Sequence, residues 1–424
     1  AYYNLGNILQ FWKATNFSEY LARNYLEILN FGTIARPVSM VNSIITLLKH
    51  HDTIKEAIQS REHDTLKDLA SDFCHRLQKI PLFLKIMEIC QIPDLEIESV
   101  LTELRRVLLL KREVFAANCD LLAFQKALAL QCFTNEFIYE ETEEETISIQ
   151  SLEGSLQKSF SNNEEPLHHD ITCLASYRPI FDYSWATKIA PPPGLELLFR
   201  RQVIEVKQER LLKKSIPSLN TINDGVSVAV KNQYEENPYP RWVSTKLEIK
   251  PLSIRKVVDE LELQINTKTA PLSEAPEILI AGCGTGQHSL ITASRFKNSH
   301  VTAIDLSLNS LAYAKRKTEE LGVTNIKYLQ ADILDLGMLD KQFDIVESTG
   351  VLHHMAEPLK GWKILTSLLK RGGLMKIALY SRLARRNIIE ARDVIASNQI
   401  TSDKAGMLKF RKKIITANVA QFNL

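Results

Sequence analysis

The stretch Glu277-Ile278-Leu279-Ile280-Ala281-Gly282-Cys283-Gly284-Thr285-Gly286-Gln287 carries the chain's most specific chemistry. An apolar run feeds a G-x-G-x-G turn, and a helical pattern follows. Glycines there let the backbone bend tightly and approach a ligand with no Cβ in the way. Asp305 ends the next apolar run, roughly 20 residues beyond the turn, where a carboxylate can accept both hydroxyls of a ribose. Asp332 follows the third run, in Gln330-Ala331-Asp332-Ile333. From there a side chain reaches an adenine amino group, and Ile333 covers the ring. The dinucleotide pattern G-x-G-x-x-G is not met, because Gln287 stands where its third glycine belongs. No G-x-x-x-x-G-K-[ST] loop occurs either. The turn suits a nucleoside ligand with a zwitterionic amino-acid end and no phosphate.

A second group of residues is aromatic. In Tyr234-Glu235-Glu236-Asn237-Pro238-Tyr239-Pro240-Arg241-Trp242, two prolines hold the chain extended between the rings. Such a clasp can cover a ligand, hold a cation over the rings, or staple two domains together. Arg241 meets either a ligand carboxylate or a neighbouring glutamate. His353 and His354 follow the fourth apolar run, and the second of the pair also reads as a core or hinge residue. Cys283 reads as a small buried filler, and His168-His169 as a pair in a polar loop with no metal role. Arg382, Arg385 and Arg386 form a basic patch that reads as a solvated helix start.

The elements that position these groups change character along the chain. From about residue 36 to 225 the pattern is helical. Val100, Leu101, Leu104, Val107 and Leu108 recur on one face with Arg105 and Arg106 on the other, and Leu121, Phe124, Leu128 and Cys132 recur next. The run from Glu140 to Glu145 reads as a solvated surface, and Ser159 to Asp170 as a loop. Pro191-Pro192-Pro193-Gly194 marks a rigid joint. After residue 270, strands at 278–280, 301–304, 326–329, 343–346 and 374–380 alternate with helices at 287–296, 308–321 and 357–370. Ser307 is the expected N-cap of the second of these helices, and Gly322 lies just past its end. This alternation predicts a parallel sheet.

Composition sets outer bounds. The 424 residues are 45% hydrophobic and carry 52 Lys+Arg against 50 Asp+Glu, a net charge of +2. That balance excludes a strongly basic nucleic-acid binder. No apolar run approaches the ~20 residues of a membrane span. Six scattered cysteines (Cys74, Cys90, Cys119, Cys132, Cys173, Cys283) without a C-x-x-C argue against zinc and disulfides and for a reducing cytoplasm. The expected partners are accordingly neither membrane nor nucleic acid. The start at Ala1 and the absence of two further strands lead us to expect a fragment truncated at both ends.

Residues 277–287, with Asp305, Asp332 and the segment Phe343-Asp344-Ile345-Val346-Glu347-Ser348-Thr349-Gly350-Val351-Leu352-His353-His354-Met355, resemble a class I S-adenosylmethionine-dependent methyltransferase. The resemblance implies an α/β Rossmann-like core beside a large all-α N-terminal region. It implies that Gly282, Gly284 and Gly286 cradle the methionine part, Asp305 the ribose, and Asp332 with Ile333 the adenine of S-adenosyl-L-methionine. Ser348 to Gly350 would line the pocket near the sulfonium. The segment 233–242 and that around 127–136 are similar to bacterial methyltransferases joined to tetratricopeptide repeats, a group related to bacterial protein-lysine methyltransferases. Leu5-Gly6 and Leu9 resemble the repeat's own turn, with Leu5, Ile8, Leu9 and Trp12 on one helix and Tyr20, Leu21, Asn24, Tyr25 and Ile28 on a second; an ordinary helical hairpin gives the same pattern.

The expected organisation is thus a tetratricopeptide-like hairpin at 1–35, a helical accessory region at 36–225, the methyltransferase domain at 226–382 and the start of a helical extension at 383–424. The acceptor is expected to be a protein or peptide brought by the helical region, with a small molecule or glycan, or an inactive binding core, as the alternatives. A homo-oligomer is compatible with either. Removing the proton of a lysine amine at pH 7 costs about 4.6 kcal/mol. Aromatic walls and a nearby tyrosine lower that cost, which makes Tyr234, Tyr239 and Tyr380 catalytic candidates. For an oxygen acid, His353 is the candidate base.

Overall fold

Hydrophobic periodicity along the first half of the chain builds one helical layer. The computed structural model describes residues 2–116, 121–266, 273–381, 383–401 and 403–416. Cys119 and Arg382 lie outside the described residues. Helices Tyr2–Leu9 and Glu19–Asn30 pack as a hairpin, and Gly6 sits against Ile28. Their buried residues Leu9, Tyr25, Ile28 and Leu29 belong to one continuous core that runs on to Val203. The hairpin therefore shares its core with the accessory region. Ile8 and Trp12, expected with Leu5 and Leu9 on one helix face, are exposed; the first helix ends at Leu9, so Trp12 lies beyond it.

Three further expectations about this region are corrected. Arg105 is buried, its guanidinium lying 4.0 Å from the centre of the Tyr177 ring. The acidic run is only partly solvated. Thr142 caps helix Glu143–Ser161 in a reciprocal box with Glu145, which turns the Glu145 side chain inward. There Glu145 accepts from the Tyr177 hydroxyl at 2.5 Å and from Arg106 at 3.2 Å. His169 is likewise no loop residue: it lies buried in helix His168–Ala175, 2.6 Å from Gln125.

The second unit is a parallel sheet of five described strands: β1 (Glu277–Ala281), β2 (His300–Asp305), β3 (Ile326–Gln330), β4 (Phe343–Thr349) and β5 (Leu369–Ala378). Their order is β3-β2-β1-β4-β5. Central strands of a parallel sheet are covered on both faces. Alternation along β1 accordingly sends Ile278 and Ile280 into one core, and Leu279 and Ala281 into another. β5 starts earlier than expected. Helix Pro358–Ser367 stops short of residue 370, and the pairing with β4 slips between Phe343↔Leu369 and Ile345↔Leu374, so the glycines at 372–373 lie in an irregular stretch of strand. The packing also reaches ahead of residue 226. The Leu219 N–H donates to the Gln330 carbonyl, the Gln330 N–H donates to the Pro217 carbonyl, and Ile216 joins the sheet's core.

The two units meet along helix Leu308–Glu320. Its Arg316 pairs with Glu205 at 3.3 Å and Glu209 at 2.7 Å from the helical side. No described helix is long and apolar enough to cross a membrane. The strand order reverses at β1 and β4, so a crevice opens beyond their carboxyl ends, where ligands of such sheets bind.

Candidate active site

A cavity of about 750 Å³ occupies that crevice. Gly282 leaves β1 at φ +75°, and a Cβ there would collide with Val351, so the turn requires glycine. Gly284 follows, and its N–H donates to Asp305 Oδ2 at 2.8 Å. Gly282 and Gly284 both line the cavity. Gly286 does not. At φ +83° it precedes helix Gln287–Arg295, and its α-carbon faces Ala314 and Tyr328 of the neighbouring elements. Its role is the close approach of helix Leu308–Glu320, so the expected three-glycine cradle has two members at the wall.

Asp305 ends β2 with its side chain at the cavity. Oδ2 accepts from Gly284 and Oδ1 from the Ser307 N–H at 3.0 Å. A carboxylate has about four acceptor sites, so this half-buried group keeps lone pairs for a diol. Burial raises its pKa, against the pull of the backbone N–H groups. Asp332 and Ile333 also line the cavity, and Asp332 Oδ1 caps the turn Ile333–Met338 by accepting from Leu334 N–H at 3.0 Å. These placements fit an adenosyl ligand. Ser348 is a correction. It is 1% exposed and lies outside the lining, because alternation along β4 turns it away; Thr349, Gly350 and Val351 form that wall instead.

The lining of the cavity is also aromatic. Tyr234, Tyr239 and Tyr380 line it, with Tyr239 62% and Tyr380 51% exposed at the mouth. His354 lines it too, but His353 does not. His353 packs 4.2 Å from the His354 ring and 4.3 Å from the Tyr380 ring. Burial, with His354, Arg385 and Arg392 nearby, pushes the His353 pKa down to about 4. Consecutive residues in the short turn Leu352–His354 point in different directions, and nothing in the H-H dipeptide tells which one faces the ligand.

The clasp divides its work. The Pro240 carbonyl accepts from Thr285 Oγ1 at 2.7 Å, holding Tyr239 at the cavity. Trp242 packs into the α/β unit itself, beside Leu290 and Tyr313, with Nε1 donating to the Thr285 carbonyl at 3.0 Å. Arg241 turns to the helical region and meets Glu136 at 3.4 Å. Sequence reasoning missed three titratable residues of the cavity. His288 lies 2.7 Å from Glu347. Burial alone would raise the Glu347 pKa, but hydrogen bonds from His288 and Thr292 hold it below the usual value. Lys376 comes from β5 and Arg36 from the helical region. The first-turn position of His288 in a helix leaving the glycine turn was a usable signal; for Arg36 there was none.

Comparison with known proteins agrees with this geometry. Residues 278–373 match the family model described as "Methyltransferase domain". An uncharacterized protein of Synechococcus sp. is 36% identical over 131 residues, 31% of this chain and 31% of that protein. A probable (S)-tetrahydroprotoberberine N-methyltransferase 2 of Papaver bracteatum is 30% identical over 97 residues, 23% of this chain and 27% of that protein. Among solved structures, PKMT2 from Rickettsia typhi in complex with AdoHcy aligns at TM-score 0.30 and 23% identity, covering 36% of this chain and 32% of that one. The chain thus spans about a third of the length of the curated relatives it matches. It carries a class I S-adenosylmethionine-dependent methyltransferase domain, with residues 278–373 at its centre.

Proposed function

We propose that the chain transfers a methyl group from S-adenosylmethionine to a nucleophilic side chain of a protein or peptide. The observation that supports this reading is the mixed lining of the cavity. Gly282, Gly284, Asp305 and Asp332 line it together with Tyr234, Tyr239, Tyr380 and His354, and Tyr239 and Tyr380 are exposed. The cofactor supplies a methyl already activated on a sulfonium, transferred by in-line displacement. The chain's own residues then have to hold and align. Asp305 accepts the ribose hydroxyls, Asp332 the adenine amino group, and Ile333 covers the ring. Tyr239 and Tyr380 receive the acceptor at the mouth, where rings stabilise an incoming ammonium and then help to desolvate it. Burial and the nearby Asp305 carboxylate raise the Tyr234 pKa, so its phenol stays protonated and can donate to or accept from the acceptor. Alignment of the reacting atoms at ~3–3.5 Å is the main catalytic contribution.

A lysine amine is the acceptor that this rim suits best. The helical region, with its tetratricopeptide-like hairpin, is the proposed docking surface for the polypeptide. A second reading keeps the reaction and takes a small amine. It is supported by the N-methyltransferase name of the Papaver relative and by a cavity of about 750 Å³, a size that suits whole small ligands. Cofactor with a labelled methyl, incubated with the purified chain and cell lysate, separates the two. Label in protein is expected. Label confined to small solutes would establish the second reading, and no transfer to either would refute both.

A further inference from the structure

One wall of the cavity comes from outside the α/β unit. Arg36 is the residue just ahead of helix Pro37–Leu48 in the helical region, and its side chain lines the cavity. Its Nη2 donates to Gln287 Oε1 at 2.6 Å, directly after the glycine turn. The loop that carries it is pinned. The Thr245 N–H donates to the Gly32 carbonyl at 3.2 Å, and the Leu247 N–H donates to the Thr33 carbonyl at 2.9 Å. Those residues follow Trp242, itself bonded to the glycine turn through Thr285. Arg36 is thus placed by both units and not by its own flexibility.

The guanidinium is also incompletely satisfied. Nε is buried with no partner, and no acid among the described residues is found to act on the Arg36 guanidinium. A half-buried cation without a counter-charge is costly, and an anionic ligand removes the cost. Asp305 and Asp332 fix the nucleoside, which leaves the amino-acid end of the ligand at the glycine turn beside Gln287. Of the other basic side chains on the wall, His288 is engaged with Glu347, and Lys376 stands on β5.

We infer that Arg36 binds the carboxylate of the cofactor's methionine moiety, so that the helical region completes the cofactor site. This rests on the proposed reading of the cavity as an S-adenosylmethionine site. A guanidinium suits the task, because its planar fork matches a carboxylate with two parallel hydrogen bonds.

Calorimetry on the full chain tests this with two probes. S-adenosylhomocysteine has the amino-acid end, and 5′-methylthioadenosine lacks it. Arg36→Met, which keeps the apolar stem, is expected to weaken S-adenosylhomocysteine roughly 10- to 100-fold and to leave 5′-methylthioadenosine within about twofold. Arg36→Lys, which keeps the charge but not the fork, is expected to fall between, and stands in if the Met variant melts early. Equal losses for both probes, no loss for either, or a selective loss in Lys376→Gln instead would overturn the assignment. A wild-type chain that binds neither probe would overturn the cofactor reading itself, and this inference with it.

Discussion

Asp305 shows what a single half-buried carboxylate implies. It must be ionised to accept two ribose hydroxyls, yet burial raises its pKa above the ordinary 3.8. Protonation removes acceptor capacity, so cofactor affinity is expected to fall as pH drops through this raised value, earlier than a solvated aspartate would require. Titration calorimetry at stepped pH checks this, and an affinity independent of pH down to 3.8 would contradict it. His353 behaves differently. With its pKa near 4 it is neutral at pH 7, so the rate profile should show no inflection from this residue between about 5 and 8. If a step near the ordinary 6.5 disappears in His353→Gln, the packing role assigned to it is wrong. The placement of Asp305, Asp332 and Ile333 at the cavity was legible in the sequence because each stands at or just past the end of a strand. The choice between His353 and His354 was not, since it depends on the path of a short turn.

At the scale of elements, strands and helices of the α/β unit were readable because apolar runs and helical spacing alternate cleanly. The end of helix Pro358–Ser367 was not, because the slip in β4–β5 pairing is a tertiary choice. Gly286 illustrates a packing constraint disguised as a ligand motif. A methyl there would sit 2.5 Å from Ala314 Cβ, on a backbone already in the left-handed region. Gly286→Ala should therefore cost roughly 1–3 kcal/mol of stability. Denaturant unfolding reads that loss, and an unchanged midpoint would show that the two helices yield without strain. Glu145 is the other element-scale lesson. Six residues rich in acid look solvated, but the capping box carries one carboxylate to full burial between Arg105, Arg106 and Tyr177. Removing it strands a buried guanidinium, so Glu145→Ala should cost about 3–5 kcal/mol. A loss below about 1 kcal/mol, the range of an exposed pair, would refute that burial.

Across the whole molecule, the helical region and the sheet are joined by more than a linker. Arg316 reaches Glu205 and Glu209, Arg241 reaches Glu136, and Arg411 of the C-terminal helix Lys404–Thr416 reaches Glu98 at 2.6 Å. None of these pairs is visible in the sequence, because each joins residues far apart in the chain through surfaces that only folding brings together. The consequence is a cavity whose walls come from both units, with the nucleoside side supplied by the sheet and part of the remainder by the helices. The central claim is that this cavity takes S-adenosylmethionine through Asp305. Titrating S-adenosylhomocysteine into the wild-type chain and into Asp305→Ala tests it most directly. We predict saturable binding by the wild type and a loss of roughly 10- to 100-fold in the variant. Absence of binding to the folded wild type, or equal affinity in the two, would contradict it.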